Sequence, residues 1–177
     1  MSDTELFRQA FRRYATTVAV LTYRDATATA CGMTATSMCS LSASPPSLLV
    51  CINREARAHA EISDRGAFGV NLLSVEQRRV ALHCSRAGGD KHLRTAWIAE
   101  DAAEGATPRL LGALAHLELR IDQTYEAYSH TMFLGLIQSV WLNPVDAPPL
   151  LYHGGTYSQL ETAAERTERF HWELRAD

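Results

Sequence analysis

The chain has 177 residues, of which 46% are hydrophobic and 21% are charged, and its formal net charge is -3. This composition excludes a mainly disordered chain, and the absence of a basic excess argues against a nucleic-acid-binding protein. The length predicts one domain, over 1–177, that is large enough to bury a substantial hydrophobic core.

Nothing in the sequence indicates a membrane protein or a metal site. No run of about 18 consecutive apolar residues is present, so we expect no transmembrane helix. The first five residues carry two acids and no basic residue, unlike a secretory signal, so we expect a cytoplasmic protein. Four cysteines occur without a C-x-x-C spacing, which predicts reduced thiols and no metal site: Cys31, Cys39, Cys51 and Cys84.

The first half of the chain contains both helix and strand signals. Ser2 and Glu5 have the spacing of a capping box, and apolar residues then recur at helical spacing. Gly66 is a typical residue at the C-terminal end of a helix. In chain order, the predicted elements are a helix at 3–15, strands at 17–23, 29–38 and 47–52, a helix at 54–64 and a strand at 68–73.

Strands dominate the second half. Asn143 and Pro144 end the longest predicted strand. The predicted elements are a helix at 74–85, a long loop at 86–109, strands at 110–121, 131–142 and 150–153, and a helical tail at 161–177. Many short strands with few helices predict a mainly β fold with helices, built as a β-barrel or a sandwich.

A dense run of hydroxyl residues begins within the second predicted strand. On an extended chain, four of these residues share one parity, so their hydroxyls would line one face: Thr34, Thr36, Ser40 and Ser42. Such a face, beside the backbone amides near Gly32, suits a ligand with many hydrogen-bonding ring atoms or a phosphate. A solvent-facing strand surface has the same pattern, so the residues alone leave both interpretations open.

This segment resembles the signature of the short-chain flavin reductases, the reductase components of two-component flavin-dependent monooxygenases. The resemblance covers about 5–160, and its motifs come in the family's order with similar spacing. The matching motifs are Gly32-Met33-Thr34-Ala35-Thr36-Ser37, Ser40-Leu41-Ser42, Pro45-Pro46, Cys51-Ile52-Asn53-Arg54, Phe68-Gly69-Val70-Asn71-Leu72-Leu73, His130 before Phe133-Leu134-Gly135, and Gly155-Thr156-Tyr157.

The resemblance implies a fold, a reaction and partners. It implies a flavin-binding split β-barrel that forms a homodimer, with the flavin between the subunits. Such a protein would use NADH or NADPH to reduce FMN or FAD, and would supply the reduced flavin to a partner monooxygenase. Because the sequence has no G-x-G-x-x-G motif, the NADH would bind transiently against the flavin and not in a Rossmann fold. Neither a membrane nor a nucleic acid is an expected partner.

The resemblance also assigns the residues of the flavin site. Arg57 is expected to hold the flavin phosphate, because the arginine fork matches phosphate geometry. The hydroxyl residues that often flank this arginine in the family are replaced by Ala56 and Ala58. The expected flavin-binding residues are Cys31, Gly32, Met33, Thr34, Thr36, Ser37, Cys51, Ile52, Asn53, Arg57, Ala58, His83 and Cys84.

Two segments are expected to contact the nicotinamide. His130 matches a family histidine and would donate to the carboxamide or lie near the flavin, but it need not donate a proton in hydride transfer. The family often has Gly-Asp before this histidine, where this chain has Tyr128 and Ser129. The second segment comprises Gly154, Gly155, Thr156 and Tyr157. Other histidines show no metal-like grouping along the sequence: His59, His92, His116 and His171.

Two other functions are compatible with a split barrel. One is a non-catalytic protein that holds flavin or haem as a sensor or a store. The other is an oxidase of a small substrate such as a pyridoxine phosphate, which would need a more basic phosphate cluster than Arg54 and Arg57 provide. NADH consumption stimulated by flavin would identify the reductase. A haem absorption band, or flavin binding without NADH oxidation, would identify the binding protein.

Overall fold

Three α-helices accompany two antiparallel sheets in the computed structural model, which describes residues 1–100 and 106–160. The helices are α1 (Asp3–Arg12), α2 (Arg57–Arg65) and α3 (Arg78–Ser85). Within these two ranges, no helix is long and apolar enough to cross a membrane. The helical tail predicted at 161–177 lies outside the described residues.

Ten strands form the two sheets. The larger sheet has seven strands in the order β3-β2-β6-β7-β8-β5-β4, and the smaller has the order β1-β9-β10. The strands are β1 (Thr16–Thr17), β2 (Ala19–Arg24), β3 (Ala30–Ala35), β4 (Met38–Ala43), β5 (Pro46–Asn53), β6 (Ala67–Leu72), β7 (Ala115–Ala127), β8 (His130–Leu142), β9 (Leu151–His153) and β10 (Thr156–Ser158). The prediction of a mainly β fold with helices is therefore confirmed.

The seven-stranded sheet is not closed within the described residues. Its two outer strands, β3 and β4, follow one another in the chain but lie at opposite ends of the strand order. The chain turns between them at Thr36 and Ser37, and the Ser37 carbonyl accepts a hydrogen bond from the Cys51 amide at 2.9 Å. The prediction of one strand at 29–38 is therefore wrong, because the chain leaves one edge of the sheet at Ala35 and joins the other at Met38.

The side chains of β2 divide between two hydrophobic cores. Leu21 and Tyr23 point into the core enclosed by the large sheet, together with Phe68, whereas Val20 packs into a second core with Cys84 of α3. Alternate residues of a strand point to opposite faces, so one buried strand supplies both cores. Because both faces of β2 are covered, the residues of this strand are buried along almost its whole length.

Several predicted element ends are confirmed by their local geometry. The capping box between Ser2 and Glu5 is present at the start of α1. Gly66 ends α2 in the left-handed conformation at φ 67°, as a C-terminal cap requires.

The strand predicted at 110–121 instead covers Ala115–Ala127, because Gly112 (φ 77°) lies in a turn before it. The short strand β10 was not predicted.

A buried polar network joins β2, β6, β7 and the segment at 107–110. The Asn71 side chain donates to Thr22 Oγ1 at 3.1 Å, and its oxygen accepts from the Leu110 amide at 2.8 Å and from His116 Nδ1 at 3.1 Å. Burial lowers the pKa of His116 to about 4. The imidazole is therefore neutral at pH 7, with its proton on Nδ1 and with Nε2 able to accept from Thr107 Oγ1 at 3.3 Å.

This histidine makes the stability depend on pH. The unfolded chain binds a proton on His116 below pH 6.5, whereas the folded chain binds it only near pH 4. The free energy of unfolding should therefore decrease as the pH falls from about 6.5 to about 4, by about 2 kcal/mol once solvent screening is allowed for. Urea unfolding at a series of pH values measures this decrease.

His116→Gln should remove this part of the pH dependence, and the exposed His153→Gln should leave it as in the wild type. An equal slope in the wild type and in His116→Gln would contradict the assignment.

Candidate active site

A cleft of about 980 Å³ lies between β3, the start of α2, α3, the loop that follows α3 and the β9–β10 hairpin. Segments that are distant in the sequence meet here. The lining residues are Tyr23, Met33, Thr34, Thr36, Asn53, Glu55, Ala56, Arg57, Ala58, Arg78, Leu82, Cys84, Ser85, Ala87, Gly88, Gly89, Lys91, Tyr152, Gly155, Thr156 and Tyr157.

The strand β3 forms one side of the cleft and packs directly on α3. Thr34 Oγ1 donates to the Ala81 carbonyl at 2.7 Å, which joins the strand to the helix. A Cβ atom on Gly32 would lie 2.8 Å from Cys84 Sγ, so a side chain at this position would force the helix away. The edge of β3 also pairs with the loop that follows α3, because the Gly32 amide donates to the Lys91 carbonyl at 2.9 Å.

The start of α2 faces the cleft and can receive an anion. Ala56 precedes this nine-residue helix and offers no side-chain cap, so the first backbone N–H groups have no side-chain acceptor. Arg57 is the first residue of the helix, and its side chain is half exposed. A helix N-terminus with an arginine beside it is a suitable place for a phosphate.

Three basic residues and one acid line the cleft, in a chain whose net charge is -3. The basic residues are Arg57, Arg78 and Lys91, and the acid is Glu55. Lys91 Nζ donates to the Cys84 carbonyl at 2.9 Å and also to the Arg86 carbonyl, so it holds the loop at 86–91 against the end of α3. The cleft therefore concentrates positive charge and suits an anionic ligand.

Arg57 is held by Asp25, a buried carboxylate just after β2. Asp25 Oδ1 accepts from the Thr27 hydroxyl at 2.7 Å, while Oδ2 accepts from Arg57 Nη2 at 3.0 Å and lies 3.2 Å from His92 Nε2. The Thr27 hydroxyl is the largest cause that holds the pKa of Asp25 well below its usual range. The carboxylate is therefore charged at working pH, and it fixes the guanidinium at the cleft.

The structure brings His92 close to Asp25 and Cys31, a grouping that the sequence did not reveal. One ligand atom of each residue lies within 4.8 Å of the others, as a metal site requires. Two features favour a hydrogen-bonded network instead. The guanidinium of Arg57 already occupies Asp25 Oδ2 at 3.0 Å, and Cys31 Sγ lies 3.9 Å from the same oxygen, at a hydrogen-bonding distance for sulfur.

The predicted flavin residues divide between the cleft and its surroundings. Those that line the cleft are Met33, Thr34, Thr36, Asn53, Arg57, Ala58 and Cys84. Those outside the lining are Cys31, Gly32, Ser37, Cys51, Ile52 and His83. Cys31 and Ile52 are fully buried, and His83 packs edge-on against Trp97. Any contact from these residues to a ligand stays a prediction.

The four hydroxyl residues that share a parity do not line one face. Thr34 and Thr36 line the cleft, whereas Ser40 and Ser42 line a separate groove of about 490 Å³ on the other edge of the sheet. The expectation of a common face is therefore wrong, because the turn at Thr36 and Ser37 divides the segment between two strands.

The predicted nicotinamide residues are also divided. Gly155, Thr156 and Tyr157 line the cleft, and Gly154 lies next to them in the same hairpin. His130 lies at the β7–β8 hairpin outside the lining, where Ser129 Oγ and His130 Nδ1 are 2.8 Å apart.

The residue that replaces the family's glycine before this histidine is held in an unusual conformation. Tyr128 adopts φ 55°, in the left-handed region that a glycine enters without strain. Arg54 donates to the Tyr128 carbonyl and forms an ion pair with Glu126 at 3.0 Å. This arginine therefore fixes the backbone just before His130.

Sequence reasoning missed much of the cleft. It did not identify Arg78 and Leu82 of α3, Lys91 of the loop, Tyr23 of β2 or Tyr152 of the β9–β10 hairpin. One signal could have identified the loop as part of the site. It is the adjacent pair Gly88 and Gly89, which is followed by Lys91, the one lysine of the sequence. Nothing in the sequence pointed to Tyr23, because an aromatic residue in a strand is most often part of a core.

Comparison with known proteins gives consistent matches. Residues 11–161 match the family model for the flavin reductase like domain. The chain is 32% identical over 167 residues to an NADH-dependent FAD reductase of Streptomyces globisporus, over 92% of this chain and 89% of that protein. It is 35% identical over 132 residues to the 4-hydroxyphenylacetate 3-monooxygenase reductase component of Pseudomonas aeruginosa, over 73% of this chain and 76% of that protein.

A solved structure shares the fold at a similar level of identity. It is the Streptomyces globisporus C-1027 NADH:FAD oxidoreductase SgcE6, in complex with NAD and FAD fragments. The TM-score is 0.82 at 30% identity, and the match covers 92% of this chain and 95% of that chain.

Proposed function

The chain belongs to the flavin reductase-like domain family, and on this basis we propose that it is an NADH-dependent flavin reductase that supplies reduced flavin to a partner monooxygenase. The membership confirms the resemblance drawn from the motifs and the split β-barrel that it implied. FMN or FAD is the flavin, and NADH is preferred to NADPH because the matched FAD reductase of Streptomyces globisporus is NADH-dependent.

The proposal also covers the organisation and location of the chain. It includes a single domain over 1–177. It also includes a cytoplasmic location, since all four cysteines are unpaired thiols in the structure, as is usual in a reducing compartment.

The main support for the proposal is that two groups of residues line one cleft. Residues that the family motifs assign to flavin, among them Thr34, Asn53 and Arg57, line the same cleft as Thr156 and Tyr157, which the motifs assign to nicotinamide. These groups lie about a hundred residues apart in the sequence. A reductase needs the two rings stacked at about 3–3.5 Å, so both groups must share one cavity.

The residues present fit a flavin phosphate and ring. Arg57 and the uncapped start of α2 would hold the phosphate, with Arg78 and Lys91 adding positive charge. Met33 and Thr34 of β3 would lie along the ring. When bound, the flavin supplies a ring that accepts a hydride from the nicotinamide and carries the two electrons away.

The protein contributes binding and orientation to this reaction. Hydride transfer needs no proton donor at that step, and none of the described residues that line the cleft is a histidine. Tyr152 and Tyr157, whose ring centroids are 5.5 Å apart, form an aromatic wall from the β9–β10 hairpin. Such a wall would exclude water from one side of the stacked rings.

The alternative is a non-catalytic protein that binds flavin or haem in the same barrel. The cleft offers haem no histidine ligand among its described lining residues. A flavin-binding protein without activity is separated from the reductase only by a measurement of turnover.

We expect the purified protein to oxidise NADH at a rate that rises with added FMN or FAD. The reason is that both substrates would share the cleft, so NADH oxidation requires a flavin in place. The loss of NADH absorbance, with and without each flavin, measures this stimulation. Flavin binding with no NADH oxidation would contradict the proposal and support the binding protein.

His130 is proposed to orient the nicotinamide, although its side chain lies outside the cleft lining. Its backbone pairs with that of Asn53, which does line the cleft, and side chains directly opposite one another in a sheet lie on the same face. His130→Ala should then raise the KM for NADH about five- to tenfold and leave the KM for flavin within about twofold, since one binding contact is lost. Stopped-flow reduction of bound flavin by NADH measures the effect.

The competing explanation is that His130 only stabilises the hairpin. In that case His130→Ala would lower the melting temperature and oxidise NADH as the wild type does, which would reject the nicotinamide role.

A homodimer is part of the proposal. The helix α1 has no buried residue and exposes the apolar side chains of Leu6, Phe7 and Phe11, and Tyr14 just after the helix is exposed too. The groove of about 490 Å³ on the β4 side of the sheet begins at Tyr14 and is lined by apolar side chains, including Met38, Leu117 and Ile137. A second copy that covers α1 and this groove would bury both apolar surfaces at once.

Phe11→Glu should therefore convert the dimer to a monomer, because it places a charge in the apolar interface without touching a buried residue. Light scattering at micromolar concentration measures the mass. Val145→Glu, which also changes an exposed apolar residue but lies outside both α1 and the groove, should remain dimeric. A wild-type chain that is monomeric and still reduces flavin would contradict the dimer.

A further inference from the structure

Tyr23 lines the cleft, and its buried hydroxyl has no hydrogen-bond partner in the described part of the chain. The residue is 1% exposed, and its Oη makes no hydrogen bond to any described part of the chain. An unpaired buried hydroxyl is unfavourable, so one that is kept at a cavity wall calls for a partner such as a water or a ligand.

The position of Tyr23 on β2 gives the place of that partner. Tyr23 pairs with Cys31 across β2 and β3, so their side chains lie on the same face, and Cys31 Sγ lies 3.9 Å from Asp25 Oδ2. Asp25 Oδ2 accepts from Arg57 Nη2 at 3.0 Å, which places the start of α2 above this face. Ala58 and Ile62 of α2 pack in the same core as Tyr23. The Tyr23 ring therefore packs in the same core as the start of α2, and the charge of Arg57 acts on its hydroxyl.

The protonation state of the phenol determines what it can bind. Burial raises the pKa of Tyr23 well above its usual value, with a further rise from Cys31 and an opposing effect of Arg57. The phenol is neutral at working pH, so it keeps a hydrogen to donate. The neighbouring guanidinium and helix N-terminus favour a partner that is negatively charged, and such a partner accepts this hydrogen.

We propose that Tyr23 donates its hydroxyl hydrogen to the phosphate of the flavin that Arg57 and the start of α2 hold. This inference rests on the proposed function, and it adds to that function a phosphate contact that the family motifs do not include. The Oη atom exposes less than 1 Å² in the chain without a ligand, so a small movement of the cleft wall accompanies binding.

The test uses Tyr23→Phe, which removes the hydroxyl and keeps the ring in the core. FMN and riboflavin, which lacks the phosphate, are titrated against the protein by flavin fluorescence. We expect the Kd for FMN to rise about tenfold or more, because a hydrogen bond to a charged group is lost, and the Kd for riboflavin to stay within about twofold. The melting temperature without ligand should stay equal or rise, since an unpaired buried donor has been removed.

Two further variants make the result interpretable. Tyr125→Phe removes a hydroxyl from an exposed residue of β7 outside the cleft lining, so both dissociation constants should be those of the wild type. Arg57→Ala should weaken FMN and spare riboflavin, as Tyr23→Phe does.

Each result decides between defined possibilities. If Arg57→Ala weakens FMN and Tyr23→Phe does not, the Tyr23 inference is wrong and the proposed function stands. Equal weakening of FMN and riboflavin by Tyr23→Phe would place the hydroxyl at the ring and overturn the phosphate contact. A lower melting temperature with unchanged Kd values would mean that a buried water is the partner, and would also overturn it. A wild-type chain that binds no flavin would remove the proposed function and this inference with it.

Discussion

The organisation of the molecule depends on the seven-stranded sheet being left open between β3 and β4. The chain crosses this opening at Thr36 and Ser37, so two consecutive strands become opposite edges of the sheet. An edge strand has backbone groups free on one side, and the structure uses them differently at the two edges. The β3 edge pairs with the loop at Lys91 and becomes a wall of the cleft, whereas the β4 edge borders the apolar groove. A closed barrel would have neither surface.

The strand β2 links this opening to the polar chemistry of the cleft. It is covered on one face by the barrel core and on the other by α3, so the residues at its end are fixed by packing on both sides. Asp25 then follows as a carboxylate whose Oδ1 is saturated by the Thr27 and Thr29 turn, leaving Oδ2 for Arg57 and His92. The basic side chain is thus ordered before any ligand arrives, which lowers the entropy that binding must remove.

Periodicity and helix-end signals predicted the elements that depend on residues close together in the sequence. The capping box at Ser2, the Gly66 cap and the run at β5 all depend on local geometry, so the sequence identifies them. The sequence did not predict the division between β3 and β4. The hydroxyl residues alternate in the same way whether the segment forms one strand or two. Of the candidate site, motif resemblance identified Thr34, Asn53 and Arg57. It could not identify Arg78 or Lys91, because the packing of α3 on β3 brings them to the cleft.

Tyr23 illustrates why part of a site is invisible in sequence. An alternating strand with an aromatic residue predicts a core position, and Tyr23 is indeed in the core with Phe68. What distinguishes it is the absence of any partner for its hydroxyl among the residues that the structure describes, and this depends on every element packed around it. The polar network at Asn71 shows the opposite outcome, since its side-chain amide is bonded at both ends. The core thus satisfies the polar group that lies away from the cleft and leaves unsatisfied the one that borders it, as expected where a ligand completes the hydrogen bonding.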